Sequence, residues 1–288
     1  MFLRNNIILN KVIKKLLKFK FVFVLIILSS CAASPDNRLT TAQTIAENAG
    51  LKEVSLKADK FNIKAFVRQR DKKKPLVVYI EGDGLAFVRN GVSPDPTPIN
   101  PIGLKLAAID KGDNVLYVAR PCQYQASKDE YCSNFYWTDG RFSSEVLSSI
   151  KAVVDYFASE AEGIHLVGYS GGAALAALIA EEEPDRVLSL RTVAGNLDHD
   201  AVNQYHKVPL QNKSLNPKEK AKKLRDIPQI HYLGNKDKVI PFFVVSNFVK
   251  AVSNISCTKI VTIEGAGHSK GIADFWRNNY QDIPNKCF

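Results

Sequence analysis

Six apolar runs, each five to seven residues long, recur along this chain with helical patterns between most of them. The clearest is Leu76–Ile80, Leu-Val-Val-Tyr-Ile, which suits a strand buried on both faces. Asn114–Ala119, Ile164–Gly168, Leu188–Ala194, Gln229–Leu233 and Lys259–Ile263 read the same way. Ahead of them, Val54–Lys57 and Phe61–Gln69 alternate apolar with polar positions and predict two antiparallel strands. Val146, Leu147, Ile150, Val153, Val154 and Phe157 fall on one helical stripe. Phe242–Val252 forms another helix behind Pro241, and residues 41–50 predict a helix ending at Gly50. Buried strands alternating with helices predict an α/β fold, a mostly parallel sheet of about eight strands flanked by helices. Two segments interrupt the pattern. Residues 85–101 hold Pro94, Pro96, Pro98 and Pro101 and read as an irregular loop. Residues 198–226 are too long for a simple crossover and read as a cap over the site.

The first thirty residues follow a different rule. They carry six of the 39 basic residues and none of the 29 acidic ones, so +4 of the net +10 belongs to the rest of the chain. The mature part is therefore only mildly basic, and no clustered basic face argues for nucleic acid. The one dense basic run, residues 218–223, reads as a solvated helix face. A lysine-rich stretch leads into the apolar run 21–28, which has signal-peptide length and is too short to span a bilayer. Leu28-Ser29-Ser30-Cys31 follows and resembles the bacterial lipobox. That resemblance implies a signal peptide over residues 1–30, cleavage before Cys31 and lipidation of Cys31; the polar residues 34–40, with Pro35, read as part of a tether over 31–40, and 41–288 as the folded domain. The resemblance also implies an exported, membrane-anchored lipoprotein, with Ala33 rather than aspartate leaning towards the outer membrane. Four further cysteines, Cys122, Cys132, Cys257 and Cys287, allow three pairings. The pairing nearest in sequence, Cys122 with Cys132 and Cys257 with Cys287, is preferred. No Cys-x-x-Cys or other metal-like spacing occurs, and no cofactor is called for.

The chemistry centres on Val167-Gly168-Tyr169-Ser170-Gly171-Gly172, between a strand and a small-residue helix over 173–180. A serine set at a sharp strand-to-helix turn displays its hydroxyl, and small neighbours let the backbone pass close by. The hydroxyl is nearly un-ionised at neutral pH, so it needs a base, an acid to orient that base, and N–H donors for an oxyanion. Of five histidines, His165 and His231 fall in strands, and His199 and His206 fall in the 198–226 segment. His268, in Glu264-Gly265-Ala266-Gly267-His268-Ser269 after the last strand, is the preferred base. Asp237, on a loop after Gln229–Leu233, is the preferred acid, with Asp198 the alternative. Gly171 would supply one oxyanion N–H, and Asp83 or Gly84, after Leu76–Ile80, the second.

The order Ser170, Asp237, His268 and the elbow Gly168-Tyr169-Ser170-Gly171-Gly172 resemble the α/β-hydrolase superfamily over residues 50–280. The resemblance implies that fold and a covalent acyl-serine intermediate. One position departs from it: families of this kind often carry His-Gly where this chain has Glu81-Gly82. A carboxylate beside an oxyanion repels it unless turned away or paired. Arg120 is placed to neutralise Glu81 or Asp83 as a rim ion pair; otherwise the acidic turn would recognise a substrate cation. The leading expectation is a lipid-anchored esterase or lipase-like enzyme acting on a small-molecule ester or acyl substrate. A peptidase or amidase, an acyltransferase, and a non-catalytic binding lipoprotein are the alternatives.

Overall fold

In a computed structural model, which describes residues 35–89, 91–125 and 129–288, eight strands form one sheet flanked by helices on both faces. The strands are β1 (Lys52–Ala58), β2 (Phe61–Gln69), β3 (Leu76–Ile80), β6 (Asn114–Val118), β7 (Ile164–Tyr169), β8 (Val187–Val193), β9 (Gln229–Gly234) and β10 (Thr258–Ile263). Their spatial order is β1-β2-β6-β3-β7-β8-β9-β10. The β1–β2 and β2–β6 pairs are antiparallel, and every later pair is parallel. A separate hairpin pairs β4 (Phe87–Val88) with β5 (Gly91–Val92). The sequence gives no alternation there, and the hairpin lies inside the segment read as irregular.

The period of each segment explains its place. β3 and β6 are buried at every position, as central strands covered on both faces must be. β1 alternates towards exposure because it is an edge strand. One face of the sheet carries α3 (Ser144–Phe157), α4 (Gly171–Glu182) and α6 (Phe242–Val252) around the larger core. The other carries α1 (Pro35–Asn48), α2 (Ile102–Ile109) and α7 (Ile272–Asn279) around a second core that includes Tyr79, Tyr117 and Trp276. α3 starts at Ser143, whose hydroxyl accepts from Val146 N–H, and its predicted apolar stripe is the buried face. α4 is buried nearly all round, which its run of alanines permits.

Two expectations need correction. The tether was expected to reach residue 40, but α1 already begins at Pro35. Arg38 explains the difference: its buried guanidinium donates to the Thr97 carbonyl at 2.6 Å and pairs with Asp95, which docks this turn on the proline-rich loop. Residues 198–226 were expected to cap the site. They form α5 (His199–His206), a loop and a 3₁₀ stretch over Pro217–Leu224, whose Ala221 and Leu224 are buried in the larger core. The 3₁₀ part is thus packed down into the helical layer, while Tyr205, Val208 and Leu210 of the same segment stay exposed. The preferred disulfides are both formed, Cys122–Cys132 and Cys257–Cys287. Cys31 and the leader lie outside the described residues.

Candidate active site

Ser170 stands between the end of β7 and the start of α4 with φ 51° and ψ −117°. This backbone region is strained for a residue with a Cβ, and it holds because the surroundings over-determine it. Ser170 N–H donates to Val193 O at 2.9 Å, and Ser170 O accepts from Asn196 and Ala173. The flanking glycines are needed for space. A Cβ on Gly168 would run into the Ala173 backbone, and one on Gly172 into the carbonyls of Ile80 and Glu81.

His268 arrives on the loop between β10 and α7. Its Nε2 lies 3.0 Å from Ser170 Oγ and its Nδ1 lies 2.9 Å from Asp237 Oδ2. With Nδ1–H donating to the carboxylate, Nε2 is left to accept the serine proton. Asp237 sits just after β9, and its side chain is 1% exposed. Its other oxygen accepts from Val239 N–H at 2.8 Å and Ile240 N–H at 3.0 Å, so the carboxylate is fixed from both ends. The Asp237 and His268 loops are laced together. Lys236 N–H donates to Ala266 O at 2.9 Å, and Gly265 N–H donates to Asn235 Oδ1 at 2.9 Å. Tyr169, next to the serine, donates its hydroxyl to His268 O at 3.2 Å.

Asp198 does not meet His268. It caps α5, with Oδ1 accepting from Ala201 N–H and from Asn216 Nδ2, while Oδ2 pairs with Lys218 at 2.7 Å. Burial works to raise its carboxyl, but Lys218 and Asn216 outweigh burial and hold it below the usual value. The other histidines are tied up elsewhere. His165 bonds with Ser189 Oγ at 2.8 Å and His231 with Thr192 Oγ1 at 2.9 Å. Burial lowers His165 to about 4 and His231 to about 3, so both stay neutral. His199 stacks on Phe142, and His206 donates to the Val239 carbonyl.

The acidic turn after β3 resolves into two different carboxylates. Glu81 faces away from the serine into the second core. It accepts from the N–H groups of Gly82 (2.9 Å), Gly103 (3.0 Å) and Leu104 (3.2 Å) and from Tyr117 Oη (3.1 Å), so it caps the first turn of α2. Burial still pushes its carboxyl above the ordinary value. Asp83 is the group paired with Arg120, at 2.9 Å, and a second guanidinium, Arg141, binds its other oxygen at 2.8 Å. Burial works to raise Asp83, but Arg141 and Arg120 outweigh it and hold the carboxyl below its usual range. Two guanidiniums on one carboxylate leave the cluster net positive. A Cβ on Gly171 would overlap the Asp83 carboxylate, so this cluster abuts the start of α4. The sequence carries no sign of Arg141: it lies in a turn before α3 with no periodic or motif context.

The N–H groups of Asp83, Gly84 and Gly171 donate to no other part of the described chain. Gly171 is the first residue of α4, where N–H groups have no partner within the helix and the dipole favours negative charge. The turn is pinned by Gln123, whose Nε2 donates to Gly82 O at 2.9 Å. A cleft of about 420 Å³ opens over Ser170 and His268. Its walls are largely apolar, from Leu85, Ala86, Phe87, Pro98 and Ile99 on one side and Val239 on the other, with Arg141 at the polar end. The cover is therefore the 85–101 loop; residues 198–226 do not line the cleft, though His206 of α5 donates to the carbonyl of its wall residue Val239. Among the described residues, no group of three or more His, Cys, Asp or Glu side chains is arranged to hold a metal ion.

Sheet order, elbow and helix layers define an α/β-hydrolase. The chain belongs to the serine hydrolase (FSH1) family, whose model matches residues 110–269, and it is a hydrolase. Similar solved structures share the fold at low identity. A bacterial membrane phospholipase A is 16% identical with TM-score 0.60, covering 97% of each chain. Est1E from Butyrivibrio proteoclasticus is 15% identical with TM-score 0.55, covering 80% of this chain and 98% of its own. Naproxen esterase (carboxylesterase NP) from Bacillus subtilis is 14% identical with TM-score 0.57, covering 87% and 98%. No curated protein matches the chain by sequence.

Proposed function

We propose that the chain hydrolyses carboxylic esters through an acyl-enzyme on Ser170. The observation that carries this reading is the continuous line from Ser170 Oγ through both nitrogens of His268 to Asp237, at 3.0 and 2.9 Å. Ser170 Oγ attacks the ester carbonyl as its proton passes to His268 Nε2. The oxyanion that forms is met by the N–H of Gly171 and that of Asp83 or Gly84. Collapse breaks the bond to the alcohol oxygen, which takes the proton back from His268 as it leaves. Water then attacks the acyl-serine, losing its proton to the same Nε2, and the acid leaves with Ser170 restored. Asp237 keeps the imidazole in the right tautomer and stabilises the imidazolium that appears twice in the cycle. An acceptor alcohol in place of that water would make the same machinery an acyltransferase.

Ester cleavage is favoured over removal of an amino-terminal residue by the state of the two acidic side chains. Glu81 is consumed by the cap of α2 and Asp83 by two arginines, so neither is free to hold a substrate ammonium. The apolar walls suit an acyl chain or an aromatic acid. Lipidation at Cys31, export and membrane attachment belong to the same proposal and rest on the leader and the lipobox-like motif. A panel of acyl esters and aminoacyl-anilides, each run with the wild-type chain and Ser170→Ala, tests the reading. Ester turnover that vanishes in the variant is the expected result. Turnover of anilides alone, or ester turnover that survives Ser170→Ala, overturns it.

A further inference from the structure

The surface around the mouth of the cleft is apolar and basic at once. On one side, Phe87, Val88 and Val92 project from the β4–β5 hairpin, and Ile99 from the loop that follows. On the other side, Val239 and the first residues of α6, Phe242 and Phe243, are exposed. Tyr205 of α5 joins them, its ring 5.8 Å from that of Phe243. Phe87, Ile99, Tyr205 and Phe242 are each more than half exposed. Phe87, Ile99 and Val239 line the cleft that holds Ser170, so both groups frame one opening.

This apolar frame has its own support. Val202, Ile240 and Val244 form a small buried cluster under the α5–α6 side, separate from the two main cores. His206 Nε2 ties α5 to the Val239 carbonyl at 2.8 Å. The aromatic groups are therefore carried on a packed base and still turned to solvent.

The exposed charges interspersed along these segments are predominantly basic, with Glu264 of the His268 loop, which accepts from Asn235 Nδ2, and Asp200 of α5 as acidic exceptions. Arg89 sits in the hairpin, Lys207 ends α5, Lys236 and Lys238 flank Asp237, and Lys270 follows His268. None of the five enters an ion pair among the described residues. Aromatic and aliphatic side chains ringed by free cations match the interfacial zone of a bilayer, where rings enter among the headgroups and each cation meets an anionic lipid. A protein partner would need shaped pockets, and a nucleic acid would need the cations without the exposed aliphatics.

We propose that this face docks on an anionic phospholipid bilayer and that the ester cleaved at Ser170 is a lipid drawn from that surface. The substrate half of the proposal rests on the ester reading above; the docking half does not. Docking places the cleft mouth against the acyl layer, so an acyl chain enters between Phe87 and Val239 without crossing water.

The test uses the full chain, with vesicles of phosphatidylcholine alone and vesicles containing about one third phosphatidylglycerol. All variants share the same N-terminal segment, so differences among them report this face. Phe242→Trp places a probe on it, since both native tryptophans, Trp137 and Trp276, are buried. Anionic vesicles should shift its emission to the blue, and brominated lipid should quench it. Phe242→Ser/Phe243→Ser should keep kcat/KM on a soluble short-chain ester within about twofold and lose about tenfold on a vesicle-embedded fluorogenic ester. Arg89→Glu/Lys207→Glu should remove the preference for phosphatidylglycerol, by about fivefold for each cation lost. Val88→Ser/Val92→Ser repeats the test from the other side of the mouth, so one misfolded variant does not decide it. No spectral change with anionic vesicles, or embedded-ester turnover unchanged in all three variants, overturns the proposal. A wild-type chain that leaves the soluble ester intact while Phe242→Trp still enters the bilayer overturns the ester reading and upholds docking.

Discussion

At the residue scale, the decisive contrast is between two aspartates that follow neighbouring strands. Asp237 touches His268 and Asp198 does not. Asp237→Asn should therefore lower kcat by about 10³–10⁴, because the amide favours the wrong imidazole tautomer. Asp198→Ala should leave kcat/KM nearly unchanged and cost about 1–2 kcal/mol of stability through the lost α5 cap. Esterase kinetics and urea unfolding on the two variants separate these outcomes. Arg141→Met leaves Asp83 with one guanidinium and removes the positive excess beside Gly171, and steady-state kinetics should show kcat down by about tenfold or more. That Ser170, Asp237 and His268 meet was legible in the sequence because chain order and flanking glycines constrain them. Arg141 was not, because its role comes from a turn folded across the sheet rim, which no local pattern records. The fate of Glu81 was equally hidden, since its partners at the start of α2 lie 22 and 23 residues away.

At the element scale, the strands were readable because central parallel strands must be apolar throughout, and β2, β3 and α6 fall where the sequence put them. The β4–β5 hairpin escaped because two-residue strands carry no period. Length alone makes the 198–226 segment read as a cap, whereas Ala221 and Leu224 pack its 3₁₀ part into the larger core, which no local pattern records. The elbow depends on close approach between α4 and β3. Gly172→Ala should force the Ile80–Glu81 backbone apart, costing about 1–3 kcal/mol and displacing Ser170. Its thermal midpoint should fall together with fluorophosphonate labelling; unchanged values for both would show that the approach is looser than described.

At the scale of the whole molecule, a buried carboxyl and a disulfide both bear on stability. Glu181 is buried with one oxygen unpartnered, and burial raises its carboxyl to about 8. A raised folded value favours the native state below the ordinary value of 4.5 and withdraws that support as pH climbs to about 8. Unfolding free energy should thus decline over that window, and Glu181→Gln should flatten the slope in denaturant titrations at pH 5 and 8. The Cys257–Cys287 bridge closes a 30-residue separation and ties the C-terminal tail to the start of β10. By loop entropy its removal as Cys257→Ser/Cys287→Ser should cost about 3–4 kcal/mol, read by urea unfolding, with little change in kcat. Both bridges fit an oxidising compartment, in line with the proposed export.

One serine, held in a strained turn, is the proposed nucleophile. A fluorophosphonate probe followed by peptide mapping tests it most directly. A single adduct on Ser170 is expected, absent in Ser170→Ala and much slower to form in His268→Asn. An adduct on another serine, or equal labelling of Ser170→Ala and the wild-type chain, would contradict it.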